Sequence, residues 1–117
     1  MAELTKVSKK HLTEKDFEFL KDLEALLYER KEDMPRGSYT TAMFKKGLDK
    51  IAQKVGEEAV ETVIASKNRS QKEMINESAD LLFHLMMLLA EKDIPMHKVI
   101  KELRRRHDKG NHKHIGE

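Results

Sequence analysis

Apolar residues recur at helical spacing in four stretches of the chain. In the first, Phe17, Leu20, Leu23 and Leu27 follow one another at steps of three and four, and Phe19 and Leu26 widen the stripe. That is the pattern of an amphipathic helix. Thr13 precedes it with Asp16 three residues on, a variant of the capping box that normally ends in Glu or Gln. The spacing predicts a helix from about Glu14 to Arg30, stopped by the turn-forming run Met34-Pro35-Arg36-Gly37-Ser38. A second pattern begins near Thr40 or Thr41 and places Phe44, Leu48, Ile51, Ala52, Val55, Ala59 and Val63 on one face. Gly47 and Gly56 interrupt it, and each costs ~1 kcal/mol against alanine inside a helix. A break near Gly47, or the close approach of a backbone or a ligand, would account for them.

Ser70 with Glu73 forms a second capping box and opens a third helix, whose core face is Ile75, Ala79, Leu82, Leu85, Met86 and Leu89. From Leu81 to Ala90 the chain is apolar nearly all round. A helix of that kind is central in a larger protein or buried between subunits. In so short a chain little remains to surround it, so homodimerisation is expected. Asp93 is placed to cap a fourth helix with Pro95 near its first turn, and Val99, Ile100 and Leu103 are expected to face inward. Lys101 and Arg104 to Arg106 make its last turns positive, which suits the negative end of the helix dipole. The fold class is therefore all-α: an antiparallel bundle of four to five helices, completed by homodimerisation. One domain over residues 1–117 is expected, with 1–11 and 108–117 frayed.

Composition narrows the chemistry. The 117 residues include no cysteine, which excludes a disulfide framework, a thiolate zinc site, an iron–sulfur cluster and a cysteine nucleophile. Met1-Ala2-Glu3-Leu4 does not open like a signal peptide, and no apolar run approaches the ~18 residues of a membrane span. A soluble, cytoplasmic location is the expectation, and the sequon Asn68-Arg69-Ser70 is read as chance. The formal net charge of +2 hides an asymmetry: residues 70–94 carry two Lys against five acids, and residues 95–117 seven Lys/Arg against three acids.

The acids are not scattered. At ~100° per residue, Glu57, Glu58 and Glu61 share one sector beside the apolar stripe, with Lys54 in it and Lys50 nearby. On the next helix Glu73, Glu77, Asp80 and His84 form one line at steps of four, three and four. The connection from Lys67 to Ser70 is short, so the two helices run antiparallel and their carboxylates can face each other. So many carboxylates side by side repel one another and call for a counter-charge. A hard divalent cation held by oxygen supplies it; Mg²⁺ takes a few carboxylates plus water and substrate phosphates. A carboxylate not engaged by metal can serve as general base. The plainer reading, an exposed acidic face paired with lysines, weakens once two such faces fall in phase.

Other candidates carry less. His84 could be a hydrogen-bond partner behind the acids or simply a satisfied core histidine. Ser38, Tyr39, Thr40 and Thr41 could offer hydroxyls and amides to a phosphate, or merely cap a helix. Arg104 to Arg106 could bind phosphate or nucleic acid, and His112 and His114 could collect stray metal.

Several segments together resemble the phosphoribosyl-ATP pyrophosphatases of the all-α nucleoside triphosphate pyrophosphatase superfamily. These are Ser38-Tyr39-Thr40, Gly47 to Ile51, Lys54-Val55-Gly56-Glu57-Glu58-Ala59-Val60-Glu61, Glu77-Ser78-Ala79-Asp80 with the run to His84, and Arg105-Arg106-His107. The similarity covers about residues 16–107. The EExxE and ExxD motifs belong to the whole superfamily; the Ser-Tyr-Thr segment, the K-x-G-E-E-x-x-E context and the Arg-Arg-His ending narrow it to this branch. The resemblance implies Mg²⁺-dependent hydrolysis of phosphoribosyl-ATP to phosphoribosyl-AMP and pyrophosphate, the second step of histidine biosynthesis, by a cytoplasmic homodimer. It implies catalytic roles for Glu57, Glu58, Glu61, Glu77 and Asp80, with Glu58, Glu61, Glu77 and Asp80 as metal ligands. It also implies phosphate contacts from Lys54 and Lys50, to which the hydroxyls of Ser38, Tyr39 and Thr40 are added as phosphate-binding candidates from their place ahead of a helix. In many organisms this activity is fused to a cyclohydrolase that needs zinc-binding cysteines, so a cysteine-free chain is expected to be the stand-alone enzyme. Two alternatives stay open: a house-cleaning pyrophosphatase for ordinary or damaged nucleotides, and a non-catalytic helical dimer binding nucleic acid through Arg104 to Arg106, the least favoured.

Overall fold

A computed structural model describes residues 11–110, and among them the chain forms five helices and no strand. These are α1 (Glu14–Asp33), α2 (Tyr39–Lys46), α3 (Leu48–Ser66), α4 (Gln71–Glu91) and α5 (Met96–Asp108). The all-α expectation holds. No helix among the described residues is long and apolar enough to cross a membrane.

Local chemistry sets most boundaries. The Thr13 box is complete: Asp16 N–H donates to Thr13 Oγ1 at 3.4 Å and Thr13 N–H to Asp16 Oδ2 at 2.9 Å. Aspartate thus does the work of the longer Glu or Gln. The box at Ser70 is only half formed. Ser70 Oγ accepts the Glu73 N–H at 3.2 Å, but the Glu73 carboxylate turns back to Asn68 Nδ2 at 3.0 Å. Gly47 separates α2 from α3 with φ +91°, a conformation that L side chains rarely adopt. Gly56, by contrast, lies inside an unbroken α3 with open space where a Cβ would stand, so neither a kink nor a close neighbour within the chain explains it.

The core is Leu27 of α1, Met43 and Phe44 of α2, Ile51 of α3, and Met86, Met87 and Ala90 of α4. Three of the seven are methionine, whose flexible thioether fills irregular gaps where helices of different lengths meet. The largest helix–helix contact is between α3 and α4, joined by the short connection at 67–70.

Two expectations need correction. Asp93 does not cap α5. It sits at φ +56° and its carboxylate binds Lys31 Nζ at 2.9 Å. The same ammonium donates to the Ala90 and Glu91 carbonyls at 3.0 and 3.2 Å, closing the C-terminus of α4. The first amide of α5, Met96 N–H, donates instead to Glu24 Oε2 at 2.7 Å, so α1 supplies the cap from a distance in sequence that spacing does not show. The second correction concerns burial. Val99, Ile100 and Leu103 do not face an interior: each is more than 40% exposed, and α5 has no buried residue. Val63, Ile75, Phe17 and Phe19, all assigned to core stripes, are likewise more than half exposed. Among the described residues no element lies over them. At the C-terminal end α5 continues to Asp108, so that residue, assigned to a frayed tail, is helical; His112 and His114 fall outside the described residues.

Candidate active site

The α3–α4 pair brings three of the expected carboxylates together. Glu58, Glu77 and Asp80 each offer an oxygen within 4.8 Å of the other two. Glu58 and Glu77 are partly buried and Asp80 is exposed, so the group lies at the mouth of the seam between the two helices. Glu57 and Glu61 are exposed on α3 and lie outside that close group. They contribute field: Glu61 acts on Glu77, and Glu57 on Lys54 and Tyr39.

The electrostatics are those of crowded anions. The Glu77 carboxyl is pushed above the usual carboxylate range, first by desolvation, then by the negative charges of Glu58, Asp80 and Glu61 and a hydrogen bond shared with Glu58. The nearest counter-charge is Lys54, whose ammonium lies 3.3 Å from Glu58 Oε1. That contact is the leading reason the Lys54 ammonium holds its proton more tightly than usual. One lysine against three acids leaves negative charge over. A set of closely spaced carboxylate oxygens with no nitrogen or sulfur donor suits a hard cation such as Mg²⁺.

The seam is fastened from beneath by a residue that the sequence reading missed. Thr62 Oγ1 donates to the Glu58 carbonyl at 2.7 Å and also lies 3.2 Å from the Glu77 carbonyl, tying the backbones that carry two of the acids. Threonine bonding back to the residue four earlier is common in helices. The signal was therefore present, one turn after Glu58, but its cross-helix reach was not.

His84 is a satisfied core histidine, 5% exposed, whose ring nitrogens meet a backbone carbonyl and a hydroxyl rather than a carboxylate. Its Nδ1 lies 2.7 Å from the Asp80 carbonyl oxygen and its Nε2 lies 2.8 Å from the Tyr39 hydroxyl. Tyr39 is thereby drawn to the cluster. Desolvation raises its pKa, Lys54 opposes the rise, and Glu58, Asp80 and Glu57 add to it.

The remaining phosphate-contact candidates fare differently. The Ser38 hydroxyl is engaged as the α2 N-cap, accepting from Arg30 Nη1 at 2.7 Å and Thr41 N–H at 3.3 Å. Thr40 is buried at 8% exposure. Lys50 is partly buried one turn before Lys54 on α3. Of the C-terminal arginines, Arg105 and Arg106 are held by Glu102 at 2.7 and 3.0 Å. Their hydrogen bonds lower the Glu102 carboxyl to about 2. A nucleic-acid contact would have to compete with that pairing.

Comparison with known proteins follows the same residues. The chain matches the family profile of phosphoribosyl-ATP pyrophosphohydrolase over residues 20–107. It is 52% identical over 90 residues to the phosphoribosyl-ATP pyrophosphatase of Leptospira biflexa, covering 77% of this chain and 98% of that protein. With the phosphoribosyl-ATP pyrophosphatase of Listeria welshimeri it shares 53% over 90 residues, covering 77% of this chain and 86% of that one. It is also 48% identical over 91 residues to the histidine biosynthesis bifunctional protein HisIE of Bacillus subtilis, covering 78% of this chain and 44% of that larger protein. The chain thus spans nearly all of the first relative and less than half of the bifunctional one. It belongs to the phosphoribosyl-ATP pyrophosphohydrolase family.

Proposed function

We propose that this member of the family hydrolyses phosphoribosyl-ATP to phosphoribosyl-AMP and pyrophosphate, in the cytoplasm, as a Mg²⁺-dependent homodimer. The observation that carries the reading is the convergence of Glu58, Glu77 and Asp80 beside Lys54. Glu58, Glu77 and Asp80 would hold the cation, with Glu61 adjoining. When bound, Mg²⁺ supplies charge neutralisation of the polyphosphate and a lowered pKa for the attacking water. Lys54, whose ammonium lies beside Glu58, would contact the polyphosphate, with Lys50 one turn behind it. A carboxylate of the α3 group not taken by the cation, Glu57 or Glu61, accepts the proton from water. Cleavage at the α–β anhydride releases pyrophosphate as one piece.

Dimerisation follows from the apolar surface. Val60, Val63 and Ile64 on α3, Ile75 on α4 and the stripe on α5 are all exposed. A face of that extent on so small a chain fits an interface, and a second copy would cover it.

The test is pyrophosphate release from phosphoribosyl-ATP and from a panel of dNTPs with saturating Mg²⁺. Phosphoribosyl-ATP should be the preferred substrate by a wide margin; faster turnover of dNTPs would establish the house-cleaning reading instead. Glu58→Gln should nearly abolish turnover, through loss of a cation ligand, with an unchanged circular dichroism spectrum. Normal activity in that variant would remove the site from the acid cluster.

A further inference from the structure

With the His84 ring neutral, backbone chemistry fixes the polarity of the Tyr39–His84 pair. The Asp80 carbonyl oxygen, 2.7 Å from His84 Nδ1, can only accept a hydrogen bond, so Nδ1 carries the ring proton. In the neutral imidazole Nε2 then has a lone pair and no proton. Its partner at 2.8 Å, the Tyr39 hydroxyl, must be the donor. A phenol has one proton to give. With that proton directed at His84, the Tyr39 oxygen has only lone pairs left for other neighbours. Phosphate oxygens are acceptors as well, and two acceptors make no hydrogen bond. The placement of the group makes this consequential. Tyr39 is half exposed, its ring meets His84 edge-on with centroids 5.7 Å apart, and His84 is fixed to the same helical turn that carries Asp80.

We propose that His84 holds Tyr39 as a hydrogen-bond acceptor at the rim of the acid cluster, where it receives an O–H of the bound nucleotide–cation complex rather than binding phosphate. That O–H belongs to a sugar hydroxyl of the nucleotide or to a water in the cation's hydration shell. The proposal deepens the function proposed above and rests on it for the ligand. It makes Tyr39 a ligand contact, specificity-determining where the donor is a sugar hydroxyl, and His84 a positioning residue that acts through it. It also divides the Ser38-Tyr39-Thr40 segment by role. Ser38 caps the start of α2, Thr40 is buried, and Tyr39 is half exposed with its hydroxyl proton directed at His84.

Two measurements on the full chain test it. In the first, long-range proton–nitrogen NMR correlations report the tautomer of each histidine ring, with His84 identified by its loss in His84→Gln. The expected pattern is Nδ1 protonated and Nε2 bare, with the Nε2 resonance shifting in Tyr39→Phe as its hydrogen bond is lost. A protonated Nε2 at neutral pH overturns the proposal. In the second, calorimetry compares Tyr39→Phe with the parent for Mg²⁺ alone, Mg²⁺-pyrophosphate, α,β-methylene ATP and its dideoxy counterpart. The ring is retained and an unchanged thermal midpoint confirms the fold. A five- to tenfold weakening, the size of about one hydrogen bond, is expected on Mg²⁺ alone if the donor is cation-bound water. If the donor is a sugar hydroxyl, the weakening is expected on the methylene analogue and absent on its dideoxy form. A loss on pyrophosphate beyond that for Mg²⁺ alone, or no loss on any probe, overturns the proposal. None of these readings needs turnover. A chain that binds the analogue through Tyr39 yet leaves phosphoribosyl-ATP intact refutes the assigned reaction and spares the pair.

Discussion

The α3–α4 pair and α5 both carry an apolar stripe opposite a charged one, and they end in different situations. In the pair, Ile51, Met86, Met87 and Ala90 close against α1 and α2, while the opposite edges converge on Glu58, Glu77 and Asp80. Charge there is left unbalanced, as Glu77 records by holding its proton more tightly than a free carboxylate. In α5 Glu102 pairs with Arg105 and Arg106 within the helix, which otherwise keeps an excess of exposed positive charge, and the apolar side has no cover among the described residues. A face that lacks a counter-charge asks for an ion; a face that lacks apolar cover asks for another surface. In the function proposed above, the first face takes the small ligands and the second takes a second copy.

The comparison breaks most visibly at α5. Val99→Asp combined with Leu103→Asp should convert a dimer to monomer, raising the dissociation constant by at least about 100-fold. Each buried aliphatic side chain is worth about 2 kcal/mol and each tenfold takes about 1.4 kcal/mol. Light scattering across a concentration series reads this directly. A doubly substituted chain that dimerises as tightly as the parent would show that α5 lies outside the interface. A parent chain that stays monomeric at high micromolar concentration would remove the second copy altogether.

Much of this was legible from residue spacing. The steps through Glu73, Glu77, Asp80 and His84, together with a short connection at 67–70, are enough to place two acidic faces opposite each other, because helical geometry leaves little freedom. Gly47 was legible for the same reason: a glycine interrupting an apolar stripe either breaks the helix or is tolerated, and here φ +91° breaks it. What spacing could not show is contact between residues far apart in sequence. Glu24 capping α5, Lys31 closing α4 and Thr62 bridging two backbones each join elements through one side chain whose type is ordinary for its own helix. Burial was overestimated for a related reason. Periodicity reports that Val63, Ile75 and Leu103 share a face with other apolar residues, not that this chain supplies something to lie on it.

At the acid cluster the next largest effect concerns pH and metal together. Glu77 has a folded-state pKa above its unfolded value, so the stability it contributes is present below the ordinary carboxylate range and lost as pH rises through the raised value. The metal-free chain should therefore lose this contribution as pH rises above the ordinary carboxylate range. A cation binds the ionised form and should reverse the loss. Adding Mg²⁺ at about 100 times its dissociation constant is worth ~2.7 kcal/mol. The thermal midpoint should rise by several degrees at pH 7.5 and by much less at pH 5. Asp80→Asn should blunt the rise at pH 7.5. An equal rise at both pH values, or one that survives in Asp80→Asn, would place the cation elsewhere.

The smallest effect concerns Gly56. It lies on α3 between Lys54 and Glu58, it is exposed, and nothing stands within 4 Å of where a Cβ would be. Within one chain, alanine should therefore stabilise the helix by about 0.5–1 kcal/mol, read as a small rise in thermal midpoint. A glycine kept at that cost suggests that something approaches its backbone in the working assembly, and the sign of each measured change identifies what. Gly56→Ala made in the Val99→Asp, Leu103→Asp background isolates the helix effect if that background is monomeric. If alanine stabilises that monomer yet weakens dimerisation of the parent, the second copy comes up against α3 as well as α5. If it stabilises both and instead raises KM for the nucleotide, the polyphosphate lies along α3 between Lys54 and Glu58. Stabilisation with neither change would leave Gly56 without a partner and confine the uncovered surface to α5.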